Sequence, residues 1–175
     1  MLSAKMIEAL NRQVKEEYYA SNLYLAMASW CEVNGLSGCA AFMYEHAVEE
    51  RIHMMKFFKY INMMDGHAIV PEVPMPPSEW LNIQTVFAEA YQHEKKVTNL
   101  ISILVELSSK EQDFATLNFL QWFVSEQAEE EVLFKEVLDK VKLIGDGPQS
   151  LYFIDTEVQK INNRVPGEEN GAGEA

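Results

Sequence analysis

Apolar residues recur at alternating steps of three and four over four long stretches of the chain, the spacing of amphipathic helices. The first stretch predicts a helix from Ser3, which can cap it, to Val33, where the "NGLSG" of Asn34–Gly38 stops it. The second runs over 39–65 and ends at Gly66. "GHAIVPEVPMPPSEW" follows, and its four prolines exclude a regular helix. The third predicted helix spans 81–109 and the fourth 114–144, broken by "GDGP"; a short fifth covers 150–163. No strand pattern or internal repeat accompanies them.

Loop lengths set the topology. The first–second and third–fourth connections are short, so each pair folds as an antiparallel hairpin. The proline-rich connection can travel the length of a helix, which lets the second and third run parallel. At about 1.5 Å per residue these helices are roughly 40 Å long. The predicted fold class is all-α, a four-helix bundle with one long crossover connection and a short fifth helix. Residues 1–164 form one domain in this reading, and "VPGEENGAGEA" at 165–175 is a disordered tail.

The apolar seams are not purely apolar. The first reads Ile7, Leu10, Val14, Glu17, Ser21, Tyr24, Ala28, and the second Met43, His46, Glu50, His53, Phe57, Tyr60, Met64. The third reads Ile83, Phe87, Ala90, Glu94, Val97, Ile101, Leu104, and the fourth Thr116, Leu120, Phe123, Gln127, Glu130, Phe134, Val137. Ionisable or polar residues interrupt each seam near its helix midpoint. Antiparallel packing reverses direction but leaves midpoints level, so Glu17, Glu50, His53, Glu94, Gln127 and Glu130 converge on one interior layer.

That layer needs compensation. Burying an ion costs several kcal/mol even after relaxation, against a domain stability of about 5–15 kcal/mol. Four carboxylates with a neutral imidazole are balanced by two divalent cations. Oxygen-rich ligation with one nitrogen suits iron or manganese better than structural zinc. A plain solvated or salt-bridged role fits Glu17 or Glu94 taken singly, but coincidence of four seams at one level favours metal.

Composition narrows the class. At 175 residues, 20.0 kDa and 48% hydrophobic, the chain can bury a core. A formal charge of −13 opposes binding to a nucleic-acid backbone and attracts cations, although solubility alone would also use it. Two cysteines, Cys31 and Cys39, are too few for a disulfide framework. "MLSAKMIEAL" lacks the apolar run of a signal peptide, and no run is long enough to span a bilayer. The expectation is a cytoplasmic protein without membrane or nucleic-acid partners.

Taken together, "EEYYASNLY" around Glu17 and Tyr24, "EERIH" at 49–53, "HEKKVT" with Glu94, "LNFLQWFVSEQAEEE" and "LYFID" resemble a ferritin, most closely a bacterial non-haem ferritin. The resemblance covers nearly the whole chain. Ferritin-like di-iron proteins place one Glu on each of two helices and Glu-x-x-His on the other two; here the second such motif is Gln127-x-x-Glu130, without a second histidine. The resemblance implies a hollow cage of 24 identical subunits that oxidises Fe(II), with oxygen or peroxide, and stores ferric oxyhydroxide inside. It implies that Glu17, Glu50 and His53 hold the first iron, with Glu50 bridging, and that Glu50, Glu94 and Glu130 hold the second. Gln127 then faces the oxygen site, and Tyr24 hydrogen-bonds a ligand and supplies an electron. Glu49, Glu126, Glu129 and Glu130 match a third iron site. The 3.6-residue repeat puts Glu49 and Glu126 about 70° off their seams in the same sense, whereas Glu129 lies farthest off and also reads as a solvated charge. Haem is not expected, because Arg51 stands where haem-binding members carry methionine and Glu130 where they carry histidine.

Two other classes compete: a DNA-protecting dodecameric mini-ferritin, which lacks the fifth helix, and a structural bundle without metal chemistry. His46 lies in a seam without an acid at ligand spacing and reads as a satisfied core histidine. Trp122 reads as packing, and Met54, Met55, Met63 and Met64 as packing or subunit interface.

Overall fold

The computed structural model describes residues 1–164. It consists of α1 (Ala4–Val33), α2 (Ser37–Met63), α3 (Ile83–Lys110), α4 (Phe114–Ile144) and α5 (Ser150–Asn162), and no strand occurs among the described residues. The expected all-α bundle is therefore the observed one, and α4 begins and ends where the hydrophobic pattern puts it. The tail expected at 165–175 lies outside the described residues.

Side-chain contacts fix the directions of the helices. Ser3, before α1, donates to Glu111 at the end of α3 at 2.7 Å, while Trp30 near the end of α1 meets Trp80 ahead of α3 edge-on. These two helices are antiparallel. Along α2 and α4, Tyr60 pairs with Thr116, Phe57 stacks on Phe123, and His46 faces Glu130, so they are antiparallel as well. With α1 and α2 joined by a tight turn, α2 and α3 run parallel, as the long crossover requires. Asn11 pins the start of that crossover to α1: its amide donates to His67 O at 3.0 Å and its carbonyl accepts from Ile69 N at 2.8 Å.

The helix ends show how the turns are made. After α1, Leu36 N bonds Cys31 O at 2.9 Å and Gly35 N bonds Glu32 O at 3.0 Å, a Schellman arrangement with Gly35 at φ 73°. The same closure ends α2 and α3, but Asp65 (φ 60°) and Gln112 (φ 55°) take the left-handed position there. Gly66, the sequence signal for the end of α2, stands one residue past the strained one.

Gly38 is a second displaced signal. It lies inside α2 rather than before it. A Cβ there would sit 2.4 Å from Asp155 O and 2.9 Å from Gln159 Cβ, so glycine is what lets α5 cross the start of α2. Asp155 also accepts from Cys39 N at 2.9 Å, satisfying one of the first-turn amides of a helix that has no side-chain cap of its own.

The apolar interior falls into two bodies. One is built from Ala20–Cys31 of α1, Cys39–Ala47 of α2, Ile83–Ala90 of α3 and Phe134–Val141 of α4, with α5 adding Ile154, Val158 and Ile161. The other uses Met6–Val14, Met54–Ile61, Val97–Leu107 and Leu120–Phe123. Every seam position named from the sequence is buried except Ile7 and Met64, near the helix ends.

Candidate metal centre

Between the two apolar bodies each helix contributes its interrupted stretch, so the division of the core is itself the polar layer. Glu17 comes from α1, Glu50 and His53 from α2, Glu94 from α3, and Gln127 and Glu130 from α4; all are buried. The spacing explains why. Glu50 and His53 are one turn apart on α2, as are Gln127 and Glu130 on α4, so each pair points the same way.

Some of these groups are tied down. Tyr24 OH donates to Glu94 Oε1, and Gln127 Nε2 donates to Glu94 Oε2 at 3.0 Å. Gln13 Nε2 donates to Glu17 Oε1 at 2.8 Å. Nδ1 of His53 lies 3.4 Å from Glu50 Oε2, and its Nε2 lies 3.9 Å from Glu126 Oε1. Other atoms are left without hydrogen bonds: Glu17 Oε2, Glu50 Oε2, Glu130 Oε2, and Nε2 of His53 and His46. Buried polar atoms are normally satisfied, so this concentration of free ligand atoms calls for an explanation. Glu17, Glu50 and His53 each offer one ligand atom, and the three atoms lie within 4.8 Å of one another.

The electrostatics point the same way. Burial, then the charge of Glu50, holds the Glu17 carboxyl well above the usual carboxylate range. Burial raises Glu50 and Glu130 strongly as well, with the charge of Glu94 adding to each. Glu94 rises to about 7 through burial, moderated by its hydrogen bonds from Tyr24 and Gln127. Burial and the neighbouring Glu94 keep Tyr24 a phenol. Without a positive partner the layer takes up protons; a divalent cation would displace them and supply the missing charge.

The outlying acids separate. Glu49 and Glu130 meet, but the third member of their group is His46, not Glu126 or Glu129. Glu126 leans toward His53, and Glu129 is exposed. The reading of His46 as a satisfied core histidine needs correction. Its ring is clamped by Phe42 and Phe134 and Nδ1 sits 2.7 Å from Phe42 O, but Nε2 faces Glu130 at 3.5 Å and Glu49 at 3.8 Å without a hydrogen bond. The signal was present in the sequence: His46-x-x-Glu49 is Glu50-x-x-His53 in reverse. Trp122 packs edge-on against His53 at 5.3 Å, with Lys56 Nζ 3.0 Å from its ring centroid. Gln13 was missed because it stands beside the seam at Val14, and only the fold turns its amide onto Glu17.

The fold and this layer define a metal-binding four-helix-bundle protein. A family model described as a ferritin-like domain matches residues 7–144. The chain is 44% identical over 161 residues to the bacterial non-heme ferritin of Campylobacter jejuni, covering 92% of this chain and 96% of that one. It is 41% identical over 164 residues to that of Escherichia coli O157:H7, covering 94% and 99%. An open pore ferritin from Archaeoglobus fulgidus superposes with a TM-score of 0.88 at 43% identity, over 91% of this chain and 98% of that one. The chain belongs to the ferritin family. Iron storage and iron-oxidising chemistry come with that family in general terms, as does assembly from copies of one chain. No helix among the described residues is long and apolar enough to cross a membrane.

Proposed function

We propose that the chain is a ferroxidase subunit of a 24-subunit iron-storage cage, with Fe(II) as substrate at the polar layer. The observation that carries this is the split core: four buried carboxylates and an imidazole at one level, with Glu17, Glu50 and His53 each offering a ligand atom within 4.8 Å of the others. Glu17, Glu50 and His53 take the first Fe(II), and Glu50, Glu94 and Glu130 the second, with Glu50 shared. Paired binding suits the chemistry, because two Fe(II) each lose one electron and oxygen takes up two electrons with two protons, giving hydrogen peroxide. Peroxide can itself serve as oxidant, taking two electrons from the next pair.

Chain residues set the environment. Gln127 and Tyr24 hold both oxygens of Glu94, which presents that carboxylate in one orientation. Tyr24 is fully buried beside the layer and can lend an electron. Of the four acids matched to a third iron, Glu49 and Glu130 stand together on the flank where it would sit, while Glu126 leans toward His53 and Glu129 is exposed. Ferric product then leaves for the cage interior and deposits as oxyhydroxide. The exposed Leu151, Tyr152 and Phe153 of α5 supply apolar surface for contacts between subunits. A reducing cytoplasm fits Cys31 and Cys39, both buried free thiols.

Two measurements test the proposal. Native mass of the purified protein should correspond to 24 copies; a monomer or a dodecamer rejects the cage. Fe(II)-dependent oxygen consumption should fall at least about tenfold in Glu17→Ala, His53→Ala and Glu130→Ala, each still assembled. Wild-type rates in all three would put the centre elsewhere.

A further inference from the structure

Tyr24 is fully buried, so an electron that it lends has to be restored through neighbouring side chains. His93 of α3 meets its ring edge-on, with centroids 6.1 Å apart and planes at 88°. His93 also meets the ring of Tyr19 at 5.8 Å. Both separations lie in the contact range of aromatic pairs. Tyr19 and Tyr24 share α1 but stand about 140° apart around it at 3.6 residues per turn, so the imidazole from α3 is what joins them. Exposure rises along the series: Tyr24 is 0% and His93 8% exposed, and Tyr19 is half-buried at the rim of the apolar core.

We propose that Tyr19 is an electron-relay residue, passing an electron through the His93 ring to Tyr24 and so carrying the oxidising equivalent from the polar layer to the protein surface. It rests on the reading of Tyr24 as an electron donor given above. Cations separate this route from the other aromatic side chains nearby. Arg51 lies 4.5 Å from the centroid of Tyr18, Lys56 3.0 Å from that of Trp122 and Lys95 5.8 Å from that of Tyr91. A positive charge over a ring makes an electron harder to remove from it. Tyr24 instead donates its O–H to Glu94 inside a layer of carboxylates, which eases loss of an electron together with that proton, and Tyr19 packs on the imidazole. Nε2 of His93 is buried without a hydrogen bond, a cost that an apolar side chain of similar size would avoid. Imidazole is harder to oxidise than phenol, so His93 bridges the two rings and holds no radical itself.

Electrons and protons balance. Hydrogen peroxide left at the layer takes one electron from Fe(II) and one from Tyr24, with two protons from solvent, and becomes two waters. The phenolic proton of Tyr24 passes to Glu94, leaving a neutral phenoxyl radical. Tyr19 then reduces that radical by one electron through His93, Glu94 returns the proton to Tyr24, and the phenolic proton of Tyr19 leaves to water. The radical now sits on Tyr19, where a small one-electron reductant such as ascorbate quenches it.

Freeze-quench electron paramagnetic resonance tests the relay on the iron-free assembled protein mixed with Fe(II) and hydrogen peroxide. In wild type a tyrosyl radical should form, and added ascorbate should speed its decay. In Tyr19→Phe, which loses only a hydroxyl group, the radical should stay on buried Tyr24 and the ascorbate effect should be lost. His93→Leu should behave alike; if it fails to assemble, Tyr19→Phe still decides. Tyr19→Trp, which keeps an oxidisable ring, should recover ascorbate quenching, a rescue that a merely structural role for Tyr19 would not produce. Tyr24→Phe should show no radical. An ascorbate response in Tyr19→Phe equal to wild type, with the radical still absent from Tyr24→Phe, would overturn the relay and leave Tyr24 as the donor. A radical that survives in Tyr24→Phe, or none in wild type, would remove the donor role and the relay with it.

Discussion

Gln13 and Glu17 lie one turn apart on α1, both buried, and the amide of Gln13 donates to Glu17 Oε1 at 2.8 Å. The bond leaves Oε2 of the carboxylate free and aimed at the layer. It also favours the charged form of Glu17, opposing the upward push of burial. Replacing Gln13 with Leu keeps most of the volume but removes the donor. Divalent-cation affinity at Glu17, Glu50 and His53 should fall about 10- to 100-fold, as for other partners that orient a ligand. Because protons then compete more strongly for Glu17, the defect should shrink as pH rises. Anaerobic calorimetry at two pH values checks both statements; equal affinities in variant and wild type would show that Gln13 only fills space.

Glu94 gives the cation-free protein a pH dependence of definite sign. Its folded-state pKa is raised from 4.5 to about 7, mainly by burial. Over that window the folded state binds the extra proton, so stability is highest at the acid end and falls as pH rises. The contribution should be on the order of 1 kcal/mol per pH unit. Buried His46 and His93, both lowered to about 4, act oppositely by penalising the folded state below their ordinary 6.5. Comparison with Glu94→Gln isolates the Glu94 part. Chemical denaturation of chelator-treated protein from pH 5 to 7.5 should show a shallower decline in the variant; parallel curves would mean Glu94 is ionised throughout.

Adding metal should oppose that decline. A divalent ion that binds only the folded state stabilises it by mass action, about 2.7 kcal/mol at a hundredfold excess over its dissociation constant. The melting temperature should therefore rise more on zinc addition at pH 7.5 than at pH 5.5, where protons occupy the carboxylates. An equal rise at both would count against a carboxylate site.

Gly38 predicts a structural lesion away from the metal. A methyl group there would meet Asp155 O at 2.4 Å and Gln159 Cβ at 2.9 Å, neither at the end of a flexible side chain. Gly38→Ala should force α5 off α2, costing about 1–3 kcal/mol in overpacking. Since α5 also carries exposed Leu151, Tyr152 and Phe153, native mass spectrometry should show smaller assemblies while circular dichroism retains most of the helix signal. Intact assembly with an unchanged melting temperature would show that α5 shifts freely.

Asp65 offers the opposite change. It holds φ 60° at the end of α2, a conformation that costs a side-chain-bearing residue and suits glycine. Asp65→Gly should raise stability by about 1 kcal/mol, read from the midpoint of urea denaturation.

The helices, their order and the level of the polar layer are legible in the chain before it folds. Helical period and loop length are local properties, and antiparallel packing of helices of similar length brings their midpoints together whatever the details. Glu17, Glu50, His53, Glu94, Gln127 and Glu130 could therefore be grouped before any coordinates. Folding settles what depends on rotamers and on close approach between distant segments. It turned Gln13 onto Glu17 from beside the seam, put Gly38 under α5 instead of in a turn, and placed the strained backbone at Asp65 rather than at Gly66. It also set His46 against Glu49 and Glu130 while leaving Glu129 exposed. A helical wheel gives the direction in which a Cβ leaves its helix. Where the last atoms of a side chain come to rest is settled by its neighbours, here the Phe42 and Phe134 rings that clamp His46 and the Phe42 carbonyl that accepts its hydrogen bond.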